Sequence, residues 1–370
     1  MSRIGRSDQH ISRFLHHRLR SLEKGEPVSL PIVCASKFYL PGDTDAPFQY
    51  GRLGSPTWEA VESKIEALDD APSLLFASGM AAMSALFFAT LKSGDTVVLP
   101  EDGYFATRKL VDEFIAPLGV QVILVPTAKL SQLPMSDVNL VLVETPSNPG
   151  LDMCDLKEVV SRAHGAGALV AVDNTTVTSM LQRPFDFGAD ILVSSDTKSM
   201  SGHSDVVLGH LSTANRDIYE RAKAWRTLAG GIPAPFEAWL LDRGLATLEI
   251  RLERMCSSAE TIATRLANDD RIQSVRYPGL PHDPSHNLAA RQMSHFGFLI
   301  GLTLKDESAA ESFLSASPDI VDSTSFGGVH TSAERRARWG ESVEAGFVRL
   351  SVGIEPIETI WSAIDAGLSG

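Results

Sequence analysis

Residues 191–205 read ILVSSDTKSMSGHSD, a short apolar run from Ile191 to Ser194 that opens into a loop of small and hydroxylated residues around Lys198. Twenty-five positions before that lysine, residues 169–179 read LVAVDNTTVTS, a second apolar run that ends on Asp173. Near-continuous apolar runs are what parallel strands covered on both faces require. The carboxyl ends of such strands are where open α/β sheets bind ligands. A carboxylate and an amine at two successive strand ends therefore indicate both the fold class and the place to look for chemistry.

Outward from this pair, strand-like runs recur at Leu74 to Ala77, Thr96 to Leu99, Val120 to Val125, Leu140 to Glu144, Ala168 to Asp173, Ile191 to Ser194 and Val206 to Leu211. Helical patterns lie between the early ones, at Met80 to Leu91, Tyr104 to Ala116 and Asp155 to His164. This alternation predicts a mostly parallel α/β sheet. Gly165 and Gly167 precede a strand instead of following one, so they read as a helix-ending turn and not as a dinucleotide fingerprint. From about Gly244 the texture changes to one long charged helix, Leu245 to Leu266, then shorter strands and a loop carrying Pro278, Pro281 and Pro284. The expected division is an N-terminal arm over 1–50, a large domain over 51–244 and a smaller C-terminal α/β domain over 245–370. No internal repeat or low-complexity tract interrupts it.

The chain has 370 residues, 44% hydrophobic and 21% charged, the composition of an ordinary globular protein long enough for two domains. A net charge of -13 argues against a nucleic-acid or anionic-membrane partner. Cys34, Cys154 and Cys256 form no CxxC pair, so a disulfide framework and a zinc site are both unsupported, and a reducing, cytoplasmic setting is expected. No stretch has the apolar length of a membrane span, and the N-terminus lacks the apolar segment of a secretory signal. Residues 1–22 are Arg-rich (Arg3, Arg6, Arg13, Arg18 and Arg20 against Asp8), a composition shared by transit peptides and basic amphipathic helices. The helix is the preferred reading, with Ile11, Phe14, Leu15, Leu19 and Leu22 inward. His16, His17, His282 and His286 carry no ligand pattern such as HExxH, so no metal is expected.

Taken alone, a lysine in a Ser/Gly-rich loop is usually only solvated. Here Ser195 and Thr197 flank Lys198 with hydroxyls able to bind phosphate, and Gly202 allows close backbone approach, while His203 is placed to support the same loop. A lysine that forms a Schiff base and an aspartate that holds a pyridinium nitrogen are the two requirements of a pyridoxal phosphate site. Asp173 also fits a helix N-cap in DNTT. Ala77-Ser78-Gly79-Met80 follows a strand and opens an apolar helix, as a phosphate site would and as a simple cap would too. Tyr104, at the next strand-to-helix turn, either stacks on a flat ring or packs in the ordinary way.

The segments YGRLGSPTW, FASGMAAMSAL, VETPSNPGLD, VAVDNTTVTS, SDTKSMSGHSDVVLG and RLSVGIE together resemble the Cys/Met-metabolism family of pyridoxal phosphate enzymes, particularly its bacterial cystathionine γ-lyase branch. The resemblance covers most of the chain from about Tyr50 onward. It implies the fold-type I, aspartate aminotransferase-like architecture and a homotetramer of two active-site dimers. It implies that Lys198 is the Schiff-base lysine, Asp173 the pyridinium partner, and Gly79, Met80, Ser195 and Thr197 the phosphate cup. Tyr50 and Arg52 match the Tyr-x-Arg that reaches the phosphate from the neighbouring subunit, and Tyr104 matches the stacking tyrosine. Asn148, Ser325 and Arg349 match substrate-side groups. Arg349 also satisfies a separate chemical requirement, since an arginine fork suits the carboxylate of an amino-acid substrate, although a surface ion pair is equally compatible with the residue alone.

The family's activity implies that Lys198, once displaced by substrate, removes the α proton and relays one at the β carbon while a group leaves the γ carbon, with Tyr104 assisting. For cystathionine the products are cysteine, 2-oxobutyrate and ammonia. A γ-replacement transferase of the cystathionine γ-synthase or sulfhydrylase type uses the same residues, and so does a γ-lyase for a specialised amino acid. A cofactor-free scaffold is disfavoured because every cofactor-facing motif position is filled. Ser55 replaces the common Asn before Pro-Thr, Thr324 sits where several γ-lyases have Glu, and Ala106 replaces the Cys of methionine γ-lyases. The first forty or so residues also lack the usual family opening. These departures leave the cofactor residues intact and bear on the substrate.

Overall fold

The computed structural model describes residues 7–370, so Arg3 and Arg6 of the basic segment lie outside it. Seven strands form the larger sheet: β1 Ser73–Phe76, β2 Thr96–Pro100, β3 Gln121–Val125, β4 Leu140–Glu144, β5 Leu169–Asp173, β6 Ile191–Ser194 and β7 Gly209–Ser212. Their order is β1-β7-β6-β5-β4-β2-β3. Strands β2 to β6 pair in parallel, and β7 runs antiparallel to β6 on one side and β1 on the other. The side-chain period of two explains why the central strands read as unbroken apolar runs. Val141, Val143, Val170 and Val172 pack on one face with Val98 and Val159. Leu140, Leu142 and Ala171 pack on the other with Leu86, Phe87 and Leu99. Each such side chain contributes about 1.5–3 kcal/mol when fully buried. At the sheet edge β3 loses one cover, and Gln121, Ile123 and Leu124 face solvent or lie partly open.

The smaller sheet contains β8 Ser274–Arg276, β9 Leu299–Thr303, β10 Val321–Asp322, β11 Ser332–Arg335 and β12 Phe347–Ser351, in the order β10-β11-β12-β9-β8. The antiparallel register of β11 and β12 sets Glu334 directly opposite Arg349. One apolar cluster joins the two sheets, with Trp58, Ile65 and Leu75 packing into the same core as Leu252, Phe298, Ile300 and Leu350.

Several local expectations shift. The long helix expected over Leu245 to Leu266 is present as Leu248–Leu266, starting three residues later because Leu245 closes a separate helix, Pro235–Leu245, and the chain breaks at Ala246 and Thr247. The break is held by Arg251, whose buried guanidinium donates to the carbonyls of Gly244 (2.8 Å), Ser199 (2.7 Å) and Met200 (3.2 Å). The expected strand Val206 to Leu211 begins only at Gly209, because the Leu208 backbone is taken by Thr197: its N–H donates to the hydroxyl and its carbonyl accepts from it, both at 3.1 Å. Within the helix expected over Tyr104 to Ala116, Phe105–Leu110 is α-helical and Val111–Ile115 widens into a π turn. The basic N-terminal helix spans Asp8–Leu15 and buries Ile11 and Phe14, but Leu15 and Leu19 point outward and Leu22 is half-buried, since the helix ends at Leu15. Among the described residues no helix is long and apolar enough to cross a membrane, and no cluster of three or more His, Cys, Asp or Glu is placed to hold a metal.

Candidate active site

A cleft of about 300 Å³ opens where β1, β4, β5 and β6 end and the smaller sheet approaches. Its first wall follows β1. Ser78 caps the helix Gly79–Thr90, its hydroxyl accepting from the Ala81 N–H at 3.0 Å, which leaves the first helical amides facing the cleft. A side chain at Gly79 would place its Cβ 2.7 Å from that of Ser195, so only glycine lets this helix start touch the lysine loop. Gly209 on β7 is needed for the same reason, since a Cβ there would lie 2.5 Å from the Gly79 backbone. Amides, a helix dipole and the Ser195 hydroxyl form a cradle suited to a phosphate dianion, whereas Thr197 lines the same cleft with its hydroxyl proton donated to the Leu208 carbonyl and would serve a phosphate only by rotating away from it.

Asp173 and Lys198 line the same cleft. The Asp173 Oδ1 accepts from the Thr175 hydroxyl (2.5 Å) and N–H (3.1 Å), so the N-cap-like local bond is present, but it uses only one oxygen. Burial pushes this carboxyl up, while Thr175 and then the charges of Lys198 and His210 pull it back down. Lys198 is pushed down to about 8, chiefly by burial and then by the charges of Arg349 and Arg336. Its amine donates to the Ser325 hydroxyl at 2.6 Å. Ser325 holds φ at +80°, a left-handed conformation rare for a residue with a side chain. Its carbonyl accepts from Arg349 Nη2 at 2.6 Å, so one strained residue bridges the lysine and the arginine.

Arg349 is buried and donates from Nη1 to the Asn148 side-chain oxygen and from Nη2 to Glu334 at 3.2 Å. Among the described residues its Nε has no partner, an orphaned buried donor that an incoming carboxylate would satisfy. Tyr104 stands at the mouth of the cleft, the N-cap residue before Phe105–Leu110, and burial raises its phenol so that it stays protonated near neutrality.

Tyr50 and Arg52 are not brought into this cleft. Tyr50 is exposed, and Arg52 donates to the Thr227 carbonyl with its guanidinium 5.7 Å over the Tyr50 ring. Met80 and Thr324 line the cleft, whereas Ala106 does not. Ser55, the other family departure, caps the helix Pro56–Asp69 by accepting from the Thr57 N–H.

The structure adds residues that sequence reasoning missed. Glu144 ends β4 beside Asp173 and accepts from the backbone N–H groups of Tyr104 and Asn148, both at 2.7 Å; burial and the Asp173 charge hold it well above the usual carboxylate range. The signal was present, because LVLVE ends on an acid just as LVAVD does. Arg336 and Trp339 also line the cleft, from a turn after β11, and nothing in ERRARW marks it as other than a solvated charged turn. Below the lysine loop, His210 lies between Asp196 (2.6 Å) and Asp69 (3.0 Å), all three buried.

A phosphate cradle, a strand-end carboxylate, a buried amine of lowered basicity and a carboxylate fork in one cleft define a pyridoxal phosphate-dependent enzyme acting on amino acids. The family model described as Cys/Met metabolism PLP-dependent enzyme matches residues 13–369, and the chain belongs to that family. It is 46% identical over 340 residues to a provisionally named cystathionine gamma-lyase of Streptomyces coelicolor, covering 90% of this chain and 86% of that one. It is 35% identical over 372 residues to a cystathionine gamma-synthase of Mycobacterium tuberculosis, covering 96% of each. The structure of a cystathionine gamma synthase from Xanthomonas oryzae pv. oryzae in complex with aminoacrylate and cysteine superposes with a TM-score of 0.94 at 31% identity, over 98% of both chains. The fold is therefore fold-type I, and pyridoxal phosphate is the cofactor.

Proposed function

We propose that the chain is a lyase that eliminates the γ substituent of a γ-substituted amino acid, most naturally cystathionine, giving cysteine, 2-oxobutyrate and ammonia. The observation that carries this reading is the placement of the Lys198 amine, bonded to Ser325 and one residue removed from the Arg349 fork. An α-carboxylate seated on Arg349 and Asn148 would hold the α and β carbons within reach of that amine.

Pyridoxal phosphate, when bound, supplies the electron sink that makes loss of the α proton feasible. Gly79, Met80, Ser195 and Thr197 would hold its phosphate, Asp173 its ring nitrogen, and Lys198 its aldehyde carbon. Lys198 Nζ takes the proton from the α carbon and returns one at the β carbon, a transfer that its lowered basicity, about 8, favours. Ser325 orients the amine and Arg349 the carboxylate. Tyr104, protonated, donates toward the departing γ group, and its ring would pack against the bound cofactor. Tyr50 and Arg52, exposed in one chain, reach the phosphate of a neighbouring subunit in a cytoplasmic homotetramer, whose mass light scattering would measure.

Elimination is preferred over replacement because the Streptomyces relative carries a lyase name. A γ-synthase or sulfhydrylase reaction is the alternative, supported by the names of the Mycobacterium and Xanthomonas proteins. Incubation of the purified holoenzyme with cystathionine, methionine and activated homoserines, with and without a thiol acceptor, separates them. Release of 2-oxobutyrate from cystathionine without acceptor is expected, and strict dependence on an acceptor would overturn the lyase reading.

A further inference from the structure

Phe326 follows the strained Ser325 and is buried, yet it lines the cleft. Two cations share its ring. The Lys198 amine stands 5.2 Å over the ring centre, and the Arg349 guanidinium 5.0 Å over it. Both distances fall within the reach of a cation–π attraction, about 6 Å.

The ring is held in place from several sides. Gly327, at φ +81°, packs on the Ser199 backbone, where a Cβ would lie 2.6 Å from the Ser199 nitrogen, and its N–H donates to the Ser351 hydroxyl at 2.9 Å. Two residues on, the Val329 N–H donates to the Gly202 carbonyl at 2.9 Å. The loop that carries Phe326 is thus fastened at two points to the segment just after Lys198. Phe298, fully buried, tilts against the same ring with centroids 6.5 Å apart. The apolar cluster to which Phe326 belongs needs only carbon at this position, and a leucine would supply it. What the ring adds is a negative π face.

That face matters because Lys198 has to carry a proton. Burial disfavours the ammonium form, and so do the charges of Arg349 and Arg336; Glu334 and Asp173 favour it. Tyr104 and Glu144 are the other titratable groups of the cleft lining. Glu334 is shared among Arg336, Arg338, Trp339 and Arg349, so its charge is largely spent.

We propose that Phe326 is a positioning residue of the reaction: its ring seats the ammonium form of Lys198 beside Arg349, so that one amine holds the α proton until it is returned at the β carbon. The proton leaves the α carbon for Nζ and leaves Nζ for the β carbon, so none is gained or lost. The inference rests on the reading that gives Lys198 this transfer.

The test titrates the amine directly, in the full chain freed of cofactor, by trace acetylation with acetic anhydride over a pH series and mass spectrometry of the peptide that holds Lys198. The wild-type midpoint is expected near about 8. Phe326→Leu keeps the apolar bulk and loses the π face, so the midpoint should fall by about half a pH unit or more, roughly threefold in the acid constant. Phenylalanines with one, two and three ring fluorines placed at 326 weaken the π face at nearly constant shape, and the midpoint should fall in step with fluorine number. In the loaded enzyme the alkaline limb of kcat should move to lower pH with it. A midpoint unchanged by leucine and by fluorine would overturn the proposal. So would a fall with leucine alone, which would make Phe326 a packing residue, or a shifted midpoint with an unmoved limb, which would take the ring out of the reaction. Should Phe326→Leu not fold, the fluorinated set decides. If turnover proves to depend on a thiol acceptor, the lyase reading fails, and the limb is read in the replacement reaction instead.

Discussion

At the proposed cofactor end of the cleft the lining groups come from main chain and short side chains at strand ends, whereas at the proposed substrate end they come from long charged side chains locked to one another. Ser78, Gly79, Asp173 and Ser195 sit on or beside β1, β5 and β6, so their positions follow from the sheet itself. Arg349, Arg336 and Trp339 instead all donate to one buried acid, Glu334, with Glu341 holding Arg336 and Asn148 holding Arg349 as well. Buried ionic networks of this kind gain little net stability but fix geometry when every partner is present.

The largest effect should come from the residue shared by both ends. Lys198→Ala should lower turnover by at least about 1,000-fold and remove the visible absorption of attached cofactor, since one amine performs both attachment and proton transfer. Substantial multiple turnover in that variant would break the assignment. A smaller loss should follow Arg349→Lys, which keeps the charge but not the fork. We expect kcat/KM to fall about 10- to 100-fold, carried mainly by KM, with cofactor absorption unchanged. A matching loss of cofactor would show that the two ends are not separable.

The smallest effect on catalysis should come from His210, beneath the cofactor end. Burial alone would lower this imidazole, but Asp196 and Asp69 raise it from 6.5 to about 10. A group raised in the folded state contributes stability that is complete below its unfolded pKa and lost as pH climbs through the folded one. The melting-temperature gap between wild type and His210→Gln should therefore be widest near pH 6.5 and close toward pH 10. A gap constant across that range would show that the triad holds Asp196 without carrying charge.

The cofactor end was readable because each of its pieces is contiguous. SDTK, LVAVD and ASGM each place a strand end, a turn and a cleft-lining residue within a few positions. Glu144 was equally contiguous in LVLVE, yet its partners are backbone amides of Tyr104 and Asn148 that only folding brings to it. The helix break at Ala246 was hidden because its cause, Arg251 reaching back to Ser199 and Met200, lies outside any local propensity. Leu15 and Leu19 continued an apolar stripe that the chain abandons when its helix stops at Leu15.

By itself the sequence determined the parallel α/β class, the strand-end placement of Asp173 and Lys198 and, through its family motifs, the cofactor, because apolar period and strand-end chemistry are local properties. Only the tertiary structure decided which arginines turn inward, that Ser325 bridges Lys198 to Arg349, and that Glu334 gathers four donors. Those contacts join residues that fall on different elements of two sheets, and their energies depend on burial and register that no short stretch of sequence contains.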